Sequence, residues 1–530
     1  DSLTTIDNNA FIDCANLSSV DFGEGVTYIG WYAFEDCPKL KSVVIPNSVT
    51  EIGNYAFRNC SIMETLTVGN GVTLINPYAF YNCKELTTVT LGDKLVKIDG
   101  SAFADCVYLS TINFPERLEV IGNGAFSNCD SLTAITLSDS LTTIDNNAFI
   151  GCANLSSVDF GEGVTYIGWY AFEDCSKLKS VVIPDSVTEI GNYAFRDCVK
   201  METLTVGNGV KTICPHAFYN CKELTTVSLG NKLVEIGGSA FADCVYLSTI
   251  NFPEKLEVIS NGAFSNCDSL TAITLPDSLT TIDNNAFIDC ANLSSVDFGE
   301  GVTYIGWYAF EDCSKLKSVV IPDSVTEIGN YAFRDCVKME TLTVGNGVKT
   351  ICPHAFYNCK ELTTVSLGNK LVEIGGSAFA DCVYLSTINF PEKLEVISNG
   401  AFSNCDSLTA ITLPDSLTTI DNNAFIDCAN LSSVDFGEGV TYIGWYSFED
   451  CTKIKSITIP DSVTEIGSYA FRDCSTLATV YCKSTTPPTL GSWAFDGNAE
   501  NRMIYVPASV VDTYKSKWTS YADDITAGNF

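Results

Sequence analysis

One 23-residue unit constrains this chain more than any other feature of its sequence. Counted from the first residue, the unit recurs twenty-one times without a gap over residues 1–483. Phe occupies position 11 of every copy, from Phe11 to Phe471, and Cys occupies position 14, from Cys14 to Cys474. A fixed period in this range is the mark of a solenoid, in which each unit forms one coil and stacks on the next.

The apolar spacing within one unit predicts how a coil is built. In residues 162–184 (EGVTYIGWYAFEDCSKLKSVVIP), Leu178, Val181 and Ile183 stand at positions 17, 20 and 22. Alternation of period two predicts a strand at about positions 18–22, and the V-T-x-I pattern at positions 3–6 predicts a second, shorter extended piece. The A-F-x-D-C run at positions 10–14 predicts one helical or 3₁₀ turn with its Ala, Phe and Cys facing inward, and its Asp bonded to local backbone donors.

A single coil of this kind cannot fold alone. It buries about eight side chains at roughly 1.5–3 kcal/mol each, whereas ordering each residue of the backbone costs about 1–2 kcal/mol. Hydrogen bonds and contacts between coils must supply the difference. At about 4.8 Å per coil, twenty-one coils would extend roughly 100 Å, with a long parallel sheet along one side. We therefore expect one continuous array with a terminal cap.

The array is itself repeated in blocks of six coils, which start at residues 1, 139, 277 and 415. The second and third blocks differ at one place only, Gly151 against Asp289. The structural needs of a coil do not demand such identity at solvent-facing positions. Recent duplication is the favoured explanation, and repeated use of the same surface is the alternative.

The pattern breaks after residue 483, and we interpret residues 484–530 as a degenerate last coil followed by a C-terminal cap. Leu490 and Phe495 keep the places of positions 6 and 11, but the Cys is lost. Residues 504–506 are typical of a strand, and Pro507 is placed to start a helix. Four residues at helical spacing are expected to cover the last coil: Val510, Val511, Tyr514 and Trp518.

The repeat pattern L-x-x-V-x-L-P-x-x-V-x-x-I-G-x-x-A-F-x-x-C, which extends over residues 1–483, resembles the BspA-like, Treponema-type class of leucine-rich repeats. The resemblance implies a leucine-rich repeat fold of the α/β type that is mostly β, a right-handed curved solenoid of about twenty-two coils with a parallel β-sheet. It also implies a secreted or cell-surface bacterial protein that adheres to host or partner proteins. The family supplies no catalytic residues and no shared binding motif.

Charge and hydropathy exclude several classes of partner. The chain has 64 acidic and 30 basic residues, a net charge of −34. Nucleic-acid binding needs basic patches that neutralise phosphates, so this balance argues against it and against docking on anionic lipid. No apolar run approaches the ~18 residues that a membrane-spanning helix needs. No signal peptide is present, and because the chain starts at position 1 of a coil, we expect it to begin inside a longer precursor.

The cysteines and histidines do not point to catalysis. Twenty-one of the 24 cysteines share one coil position, where parallel Cβ vectors disfavour disulfides, so free buried thiols are expected. The sequence contains no C-x-x-C pair, so a zinc site is not expected. His216 and His354 stand six coils apart, roughly 29 Å, and cannot share one site. The sequence thus predicts no catalytic residue, no metal and no cofactor. It gives no role to the extra cysteines, which are Cys214, Cys352 and Cys482.

Acidic and amide residues also align along the array, at positions 1 and 13 of successive coils. Asp13 and Asp36 are followed by Asn59 and Asn82 at position 13. The calcium-binding repeat G-G-x-G-x-D is absent, so we interpret these residues as turn caps rather than calcium ligands.

Aromatic residues at positions 8 and 9 form the most suggestive pattern. Stacked coils would place their rings one above another on one edge, where they either seal the coil internally or bind a protein or glycan. The candidate binding residues are Trp31, Tyr32, Tyr55, Tyr78, Trp169, Tyr170, Tyr193, Trp307, Tyr308, Tyr331, Trp445, Tyr446 and Tyr469. The sequence and the resemblance together predict a non-enzymatic adhesion protein, extracellular or at the cell surface, that binds host or neighbouring-cell protein. The alternatives are a surface carbohydrate-binding module and a spacer without a ligand.

Overall fold

The computed structural model describes residues 2–528. The chain divides into two compact units, Asp1–Ser269 and Leu270–Phe530, which are described one at a time. In both units almost every coil contributes a short strand at positions 5–6 and most contribute a longer one within positions 19–22. These are called the short and the long strand below.

In the first unit, twelve short strands pair in parallel, each with the short strand of the next coil. They are Thr5–Ile6, Tyr28–Ile29, Glu51–Ile52, Leu74–Ile75, Lys97–Ile98, Val120–Ile121, Thr143–Ile144, Tyr166–Ile167, Glu189–Ile190, Thr212–Ile213, Glu235–Ile236 and Val258–Ile259. The long strands form a four-stranded sheet of Ser42–Ile45, Thr65–Val68, Thr88–Thr90 and Thr111–Ile112. A six-stranded sheet follows, made of Ala134–Thr136, Ser157–Asp159, Ser180–Ile183, Thr203–Val206, Thr226–Ser228 and Thr249–Ile250.

The second unit repeats this arrangement. Its short strands are Thr281–Ile282, Tyr304–Ile305, Glu327–Ile328, Thr350–Ile351, Glu373–Ile374, Val396–Ile397, Thr419–Ile420, Tyr442–Ile443, Glu465–Ile466 and Thr489–Leu490. Its long strands form three sheets, the first of which contains Ala272–Thr274, Ser295–Asp297, Ser318–Ile321, Thr341–Val344 and Thr364–Ser366 with Thr387–Ile388. The other two contain Ala410–Thr412 with Ser433–Asp435, and Ser456–Ile459 with Thr479–Cys482, Met503–Pro507 and Ile525–Gly528.

The strand register follows the sequence period. Ile144 pairs with Ile167, and Val181 pairs with Leu204, in each case 23 residues further along the chain. In the long strand Ser180–Ile183, exposed and buried residues alternate, so Val181 and Ile183 face the interior. Both units are therefore parallel β-solenoids of the leucine-rich repeat kind, and the predicted fold class and both predicted strands are confirmed.

The core consists of the repeated apolar positions, stacked on themselves. Phe172 lies between Phe149 and Phe195 with ring centroids 5.3 and 5.1 Å away, and all three rings are fully buried. Phe160 meets Phe172 edge-on at 5.6 Å. The first coil differs, because Phe11 is 40% exposed and stacks on one side only. Offset and edge-on contacts are the geometries that aromatic rings prefer, so each coil continues the packing of the one before.

The predicted turn at positions 10–14 is confirmed in part: Ala171, Phe172 and Cys175 are buried as expected, but the segment is not a helix. Local hydrogen bonds of the 3₁₀ type do occur, since Glu173 N–H donates to the Tyr170 carbonyl at 3.2 Å. They alternate with bonds between coils, as when Phe172 N–H donates to the Ala194 carbonyl at 2.7 Å. Tyr170 and Asp174 have φ angles of 58° and 59°, and such left-handed residues interrupt a helix. The segment is a series of tight turns that bonds to the next coil at every second residue.

The C-terminal segment covers the last coil. After the strand Met503–Pro507, a 3₁₀ turn (Ala508–Val510), an α-helix (Val511–Lys517) and a second 3₁₀ turn (Thr519–Asp524) lead to the strand Ile525–Gly528. Tyr514 and Trp518 are buried as expected, whereas Val510 and Val511 are half-buried. Two hydrogen bonds fix the helix to the degenerate coil: Tyr514 Oη donates to the Ser484 carbonyl (2.9 Å), and Trp518 Nε1 donates to the Pro488 carbonyl (3.0 Å).

Candidate aromatic binding edge

The structure brings the position-9 aromatic residues together as stacked ladders. Tyr32, Tyr55 and Tyr78 stack with centroid distances of 4.9 and 4.8 Å and interplanar angles of 5° and 4°. All three side chains are half-buried. The rings stack one above another within the chain, as both sequence interpretations require, and only part of each ring is left for a partner.

The same ladder recurs in the later blocks. Tyr193 stacks on Tyr170 at 4.8 Å and on His216 at 4.6 Å. Five other residues form the third ladder and the start of the fourth at a similar spacing. They are Tyr308, Tyr331 and His354 in the third block, and Tyr446 and Tyr469 in the fourth. The fourth ladder ends on Trp493, whose ring lies 5.2 Å from Tyr469. One aromatic ladder per block is therefore a repeated feature of the coil edge.

The position-8 tryptophans are exposed. Trp31, Trp169 and Trp307 are each 48% exposed and Trp445 is 52% exposed, far more than the ladder residues beside them. Each of these four tryptophans, together with the polar residues at the same position of the preceding and the following coil, is called a tryptophan platform below. Of the residues predicted to bind, they are the ones that offer the most surface.

Two contacts hold each platform in place. The backbone N–H of Trp169 donates to Asn146 Oδ1 in the preceding coil at 2.8 Å. On the other side, a Cβ atom on Gly191 of the following coil would lie 2.8 Å from Trp169 Cδ1, so the indole ring rests against backbone that only glycine leaves open. The other three platforms have the same two contacts. They join Trp31 to Asn8 and Gly53, Trp307 to Asn284 and Gly329, and Trp445 to Asn422 and Gly467.

Polar residues flank each tryptophan in the preceding and the following coil. Tyr166 Oη donates to Asn146 Oδ1 at 3.4 Å. The Asn192 carbonyl accepts the N–H of Tyr170 at 3.0 Å, which places Asn192 beside the platform in the next coil. Within residues 2–528 the half-buried Asn192 side chain forms no hydrogen bond to the protein. Its amide is thus free to bond to a ligand.

A group of ion pairs beside the ladders was not predicted. Arg196 pairs with Glu173 (3.2 Å) and Asp197 (2.9 Å), and its guanidinium lies 5.6 Å from the Tyr193 ring centroid. Glu173 is only 7% exposed. Arg58, Arg334 and Arg472 make the equivalent pairs with Glu35, Glu311 and Glu449. The signal in the sequence was Glu at position 12 followed by Arg 23 residues later, once per block.

Burial raises the pKa of Glu35, Glu173 and Glu311 against the pull of arginine. Desolvation raises the pKa of Glu173, and Arg196 lowers it by less. The same balance raises the pKa of Glu311 to about 7, with Asp312, Asp335 and Asp289 adding to the rise. Carboxylate oxygens of Glu311, Asp312 and Asp335 lie within 4.8 Å of one another. Arg334 already pairs with two of them, at 3.1 and 3.0 Å, so the group is an ion-pair network.

The cysteines form a buried row. Twenty-one of the 24 thiols are buried, and Cys14, Cys214 and Cys352 are half-buried. A typical member, Cys152, has its Sγ 3.2 Å from the Phe126 carbonyl, and burial raises the pKa of its thiol to about 12. The half-buried Cys214 lies 3.4 Å from Glu189 Oε1, and burial together with that carboxylate raises its pKa to about 12 as well. Such thiols are poor nucleophiles.

The histidines act as ladder rings. His216 stacks on Tyr193 and lies 5.8 Å from Tyr219, while burial and Arg196 lower its pKa. Its Nδ1 has no hydrogen-bond partner within the described residues. A neutral ring packed in this way extends the tyrosine stack.

Other exposed side chains recur with the blocks. Three tyrosines at position 16 are more than half exposed: Tyr108, Tyr246 and Tyr384. Val44 is exposed on a long strand and borders a groove of about 490 Å³ that is open to solvent and also lined by Asp21, Phe22 and Asn47. In the described part of the chain, no helix has the length and apolarity that crossing a lipid bilayer requires.

Comparison with protein families gives one match that repeats along the chain. The model of the BspA type leucine rich repeat region matches six times, at residues 1–109, 96–225, 188–315, 283–409, 327–454 and 395–521. Among functionally curated proteins, none matches this chain.

Several solved structures are similar. A leucine-rich repeat protein from Bacteroides ovatus is 20% identical, with 92% of both chains covered and a TM-score of 0.32. A leucine rich cell surface protein from Faecalibacterium prausnitzii is 24% identical over 62% of this chain and 87% of its own, with a TM-score of 0.31. A leucine rich repeat protein from T. pallidum is 27% identical over 39% of this chain and 77% of its own, with a TM-score of 0.24. Such low TM-scores carry no argument about function.

Proposed function

The chain belongs to the BspA-type leucine-rich repeat family, and we propose that it is a non-enzymatic interaction protein, secreted or displayed at the cell surface. It binds a host or neighbouring-cell protein through its solenoid surface. The observation that carries this proposal is the recurrence of one half-exposed, fixed tryptophan in each six-coil block.

The chemistry of the platform suits recognition. Trp and Tyr dominate the residues that contribute most to binding at protein interfaces. A ring that is already fixed by its neighbours loses little freedom when a partner binds, so more of the contact energy is retained as affinity. The contacts of Trp169 with Asn146 and Gly191 provide such pre-organisation.

Repetition adds avidity. The first unit contains Trp31 and Trp169, and the second contains Trp307 and Trp445. Within a unit the two platforms lie six coils apart, about 29 Å at the usual strand spacing. A partner that presents repeated epitopes would engage both, and the second contact is then intramolecular, which strengthens binding without any new contact.

The experiment compares the whole chain with two variants. The four-tryptophan variant carries Trp31→Ala, Trp169→Ala, Trp307→Ala and Trp445→Ala. The matched control removes exposed aromatic residues with the same block period at another position of the coil, by Tyr108→Ala, Tyr246→Ala and Tyr384→Ala. All three proteins are immobilised and used to capture proteins from host mucosal or matrix extract, and the captured protein is then purified and titrated.

We expect the four-tryptophan variant to bind the purified partner at least about tenfold more weakly, and the tyrosine variant to bind as the wild type does. Equal binding by all three proteins would place the contact elsewhere on the coil. If the wild type bound nothing in any extract, the chain would be a spacer without a ligand.

A further inference from the structure

We propose that each tryptophan platform binds a neutral saccharide, so that the partner is recognised through its glycans. This inference rests on the proposed role as an interaction protein and names the ligand of the same edge. It applies to all four platforms, which share the exposed indole, the asparagine of the preceding coil and the glycine of the following coil.

The exposed indole supplies the apolar part of the site. The Trp169 side chain is about half exposed, and its Cδ1 atom rests against the Gly191 backbone. A fixed flat ring of this kind presents a π-face whose negative quadrupole attracts the C–H groups on one face of a pyranose ring. Because the surface is open and not a closed pocket, it fits a residue within or at the end of a glycan chain.

Polar residues occupy the same coil position on both sides of the tryptophan. Asn146, Trp169 and Asn192 all stand at position 8 of successive coils, and Asn146 Oδ1 accepts bonds from the Tyr166 hydroxyl and the Trp169 backbone N–H, whereas the Asn192 amide is unbonded. Hydroxyls and amides both donate and accept hydrogen bonds, as sugar hydroxyls do. The apolar indole therefore matches the C–H face of a pyranose, and the neighbouring hydroxyl and amide groups match its hydroxyls.

The negative charge around the platform selects neutral glycans. Glu189 is exposed and pairs in register with Tyr166, in the strand next to the platform. The whole chain has a net charge of −34. Carboxylates accept hydrogen bonds from neutral sugar hydroxyls but repel sialic acid or sulfate groups, so anionic glycans should bind more weakly.

The platforms are not identical, which provides an internal comparison. Asn54, Asn192 and Asn330 stand beside the first three, but Ser468 takes this place beside Trp445. A serine hydroxyl has fewer hydrogen-bonding groups than an asparagine amide. The fourth platform should therefore contribute less to binding than the others.

The first test is a glycan microarray that carries neutral, sialylated and sulfated glycans. The full-length wild type, the four-tryptophan variant and the three-tyrosine variant are compared, with circular dichroism spectra to show that all are folded. We expect the wild type and the tyrosine variant to bind neutral glycans and the tryptophan variant to lose at least about tenfold in signal. A second variant with Phe at the four tryptophan positions should retain part of the binding, because a smaller ring still stacks.

The second test separates this inference from the proposed function. The protein partner captured from host extract is titrated before and after enzymatic removal of its glycans. Loss of binding on deglycosylation, together with loss in the four-tryptophan variant, supports the saccharide site. Undiminished binding to the deglycosylated partner would overturn the saccharide site while leaving the interaction role standing. Preference for sialylated or sulfated glycans on the array would overturn the neutral-ligand assignment.

Discussion

At position 9 of each coil the backbone adopts a left-handed conformation that most side chains avoid. Tyr32, Tyr55 and Tyr78 have φ angles of 58°, 61° and 60°, a conformation that costs a bulky residue about 1–2 kcal/mol. Gly124 at the same position of the sixth coil shows φ 60°, so the conformation belongs to the coil and not to the side chain. Tyrosine is retained where a neighbouring ring offsets the strain by stacking, which is worth about 0.5–1.5 kcal/mol.

Position 13 has the same backbone conformation but residues that suit it. Asn and Asp tolerate left-handed φ better than other side chains, and Asp36 and Asn59 have φ angles of 55° and 60°. They also bond between coils, since Asn59 Nδ2 donates to Asp36 Oδ1 at 2.9 Å. The one difference between the second and third blocks, Gly151 against Asp289, falls here, where φ is 71° and 58°. Both residues fit, so the substitution is structurally mild.

The stacked phenylalanines should contribute unequally to stability. Phe172→Ala removes a fully buried ring that stacks on two neighbours and meets Phe160, so we expect a loss of about 3–5 kcal/mol in the free energy of unfolding. Phe11→Ala is the matched control, because Phe11 holds the same coil position but is 40% exposed and has one stacked neighbour. Urea denaturation followed by circular dichroism measures both, and equal losses would contradict the buried-ladder account.

Thiol accessibility tests the row of cysteines. In native protein at pH 8, DTNB should label at most the three half-buried residues Cys14, Cys214 and Cys352, and in denaturant all 24 thiols should react. Burial raises the pKa of Cys152 and its equivalents, and only the thiolate attacks the reagent. Rapid native labelling of more than three thiols would show that the row is open to water.

At the scale of the element, the strands could be predicted from the sequence, but the backbone of the turn could be predicted only in part. Alternation at positions such as Val181 and Ile183 defines the long strand directly. The turn at positions 10–14 has helical spacing of Ala171, Phe172 and Cys175, but its backbone is interrupted by left-handed residues. Tyrosine at position 9 hides this conformation, whereas the unvarying Asp, Asn or Gly at position 13 was a signal that could have been used.

The stacking of the rings at the candidate site could be predicted from the sequence, but their exposure could not. Ladder rings lie 23 residues apart, and stacking in register follows from the period alone. Exposure is different: Trp169 at position 8 and Tyr170 at position 9 are sequence neighbours, yet only the tryptophan extends into solvent. Which of two adjacent rings turns outward depends on the φ of Tyr170 and on the space above Gly191, neither of which the sequence displays.

The burial of the glutamates in these ion pairs predicts the direction of the pH dependence. Burial raises the folded-state pKa of Glu35, Glu173 and Glu311 above the value in the unfolded chain, that of Glu311 to about 7. The folded protein therefore binds more protons than the unfolded one near neutral pH, and stability increases as the pH falls. We expect the melting temperature to be higher at pH 6 than at pH 8.5 in calorimetry.

The matching control is a variant in which the three glutamates are replaced by glutamine (Glu35→Gln, Glu173→Gln and Glu311→Gln). Glutamine cannot titrate, so the rise in melting temperature between pH 8.5 and pH 6 should shrink. If the pH dependence of the melting temperature did not change, its cause would be the general repulsion among acidic residues in a chain with a net charge of −34.

At the scale of the whole molecule, the period makes the block a removable unit. Residues 415–437 are identical to residues 277–299. Deletion of residues 277–414 therefore joins residue 276 to the same coil sequence that follows it in the wild type. Because each coil in a solenoid contacts only its neighbours, the shortened chain keeps every local relation that folding uses.

We expect the protein without residues 277–414 to be soluble and folded, with the same strand content per residue in its circular dichroism spectrum. It keeps Trp31, Trp169 and Trp445, so calorimetric titration with a monovalent ligand should find three sites in place of four. The control deletion of residues 277–402 removes twelve residues fewer and breaks the 23-residue register. That shift would place Ser416, Thr419 and Asn422 at positions 14, 17 and 20, where Cys and aliphatic residues pack, so the control should aggregate or unfold. If the control folded as well as the in-register deletion, stacking in register would not be what specifies this fold.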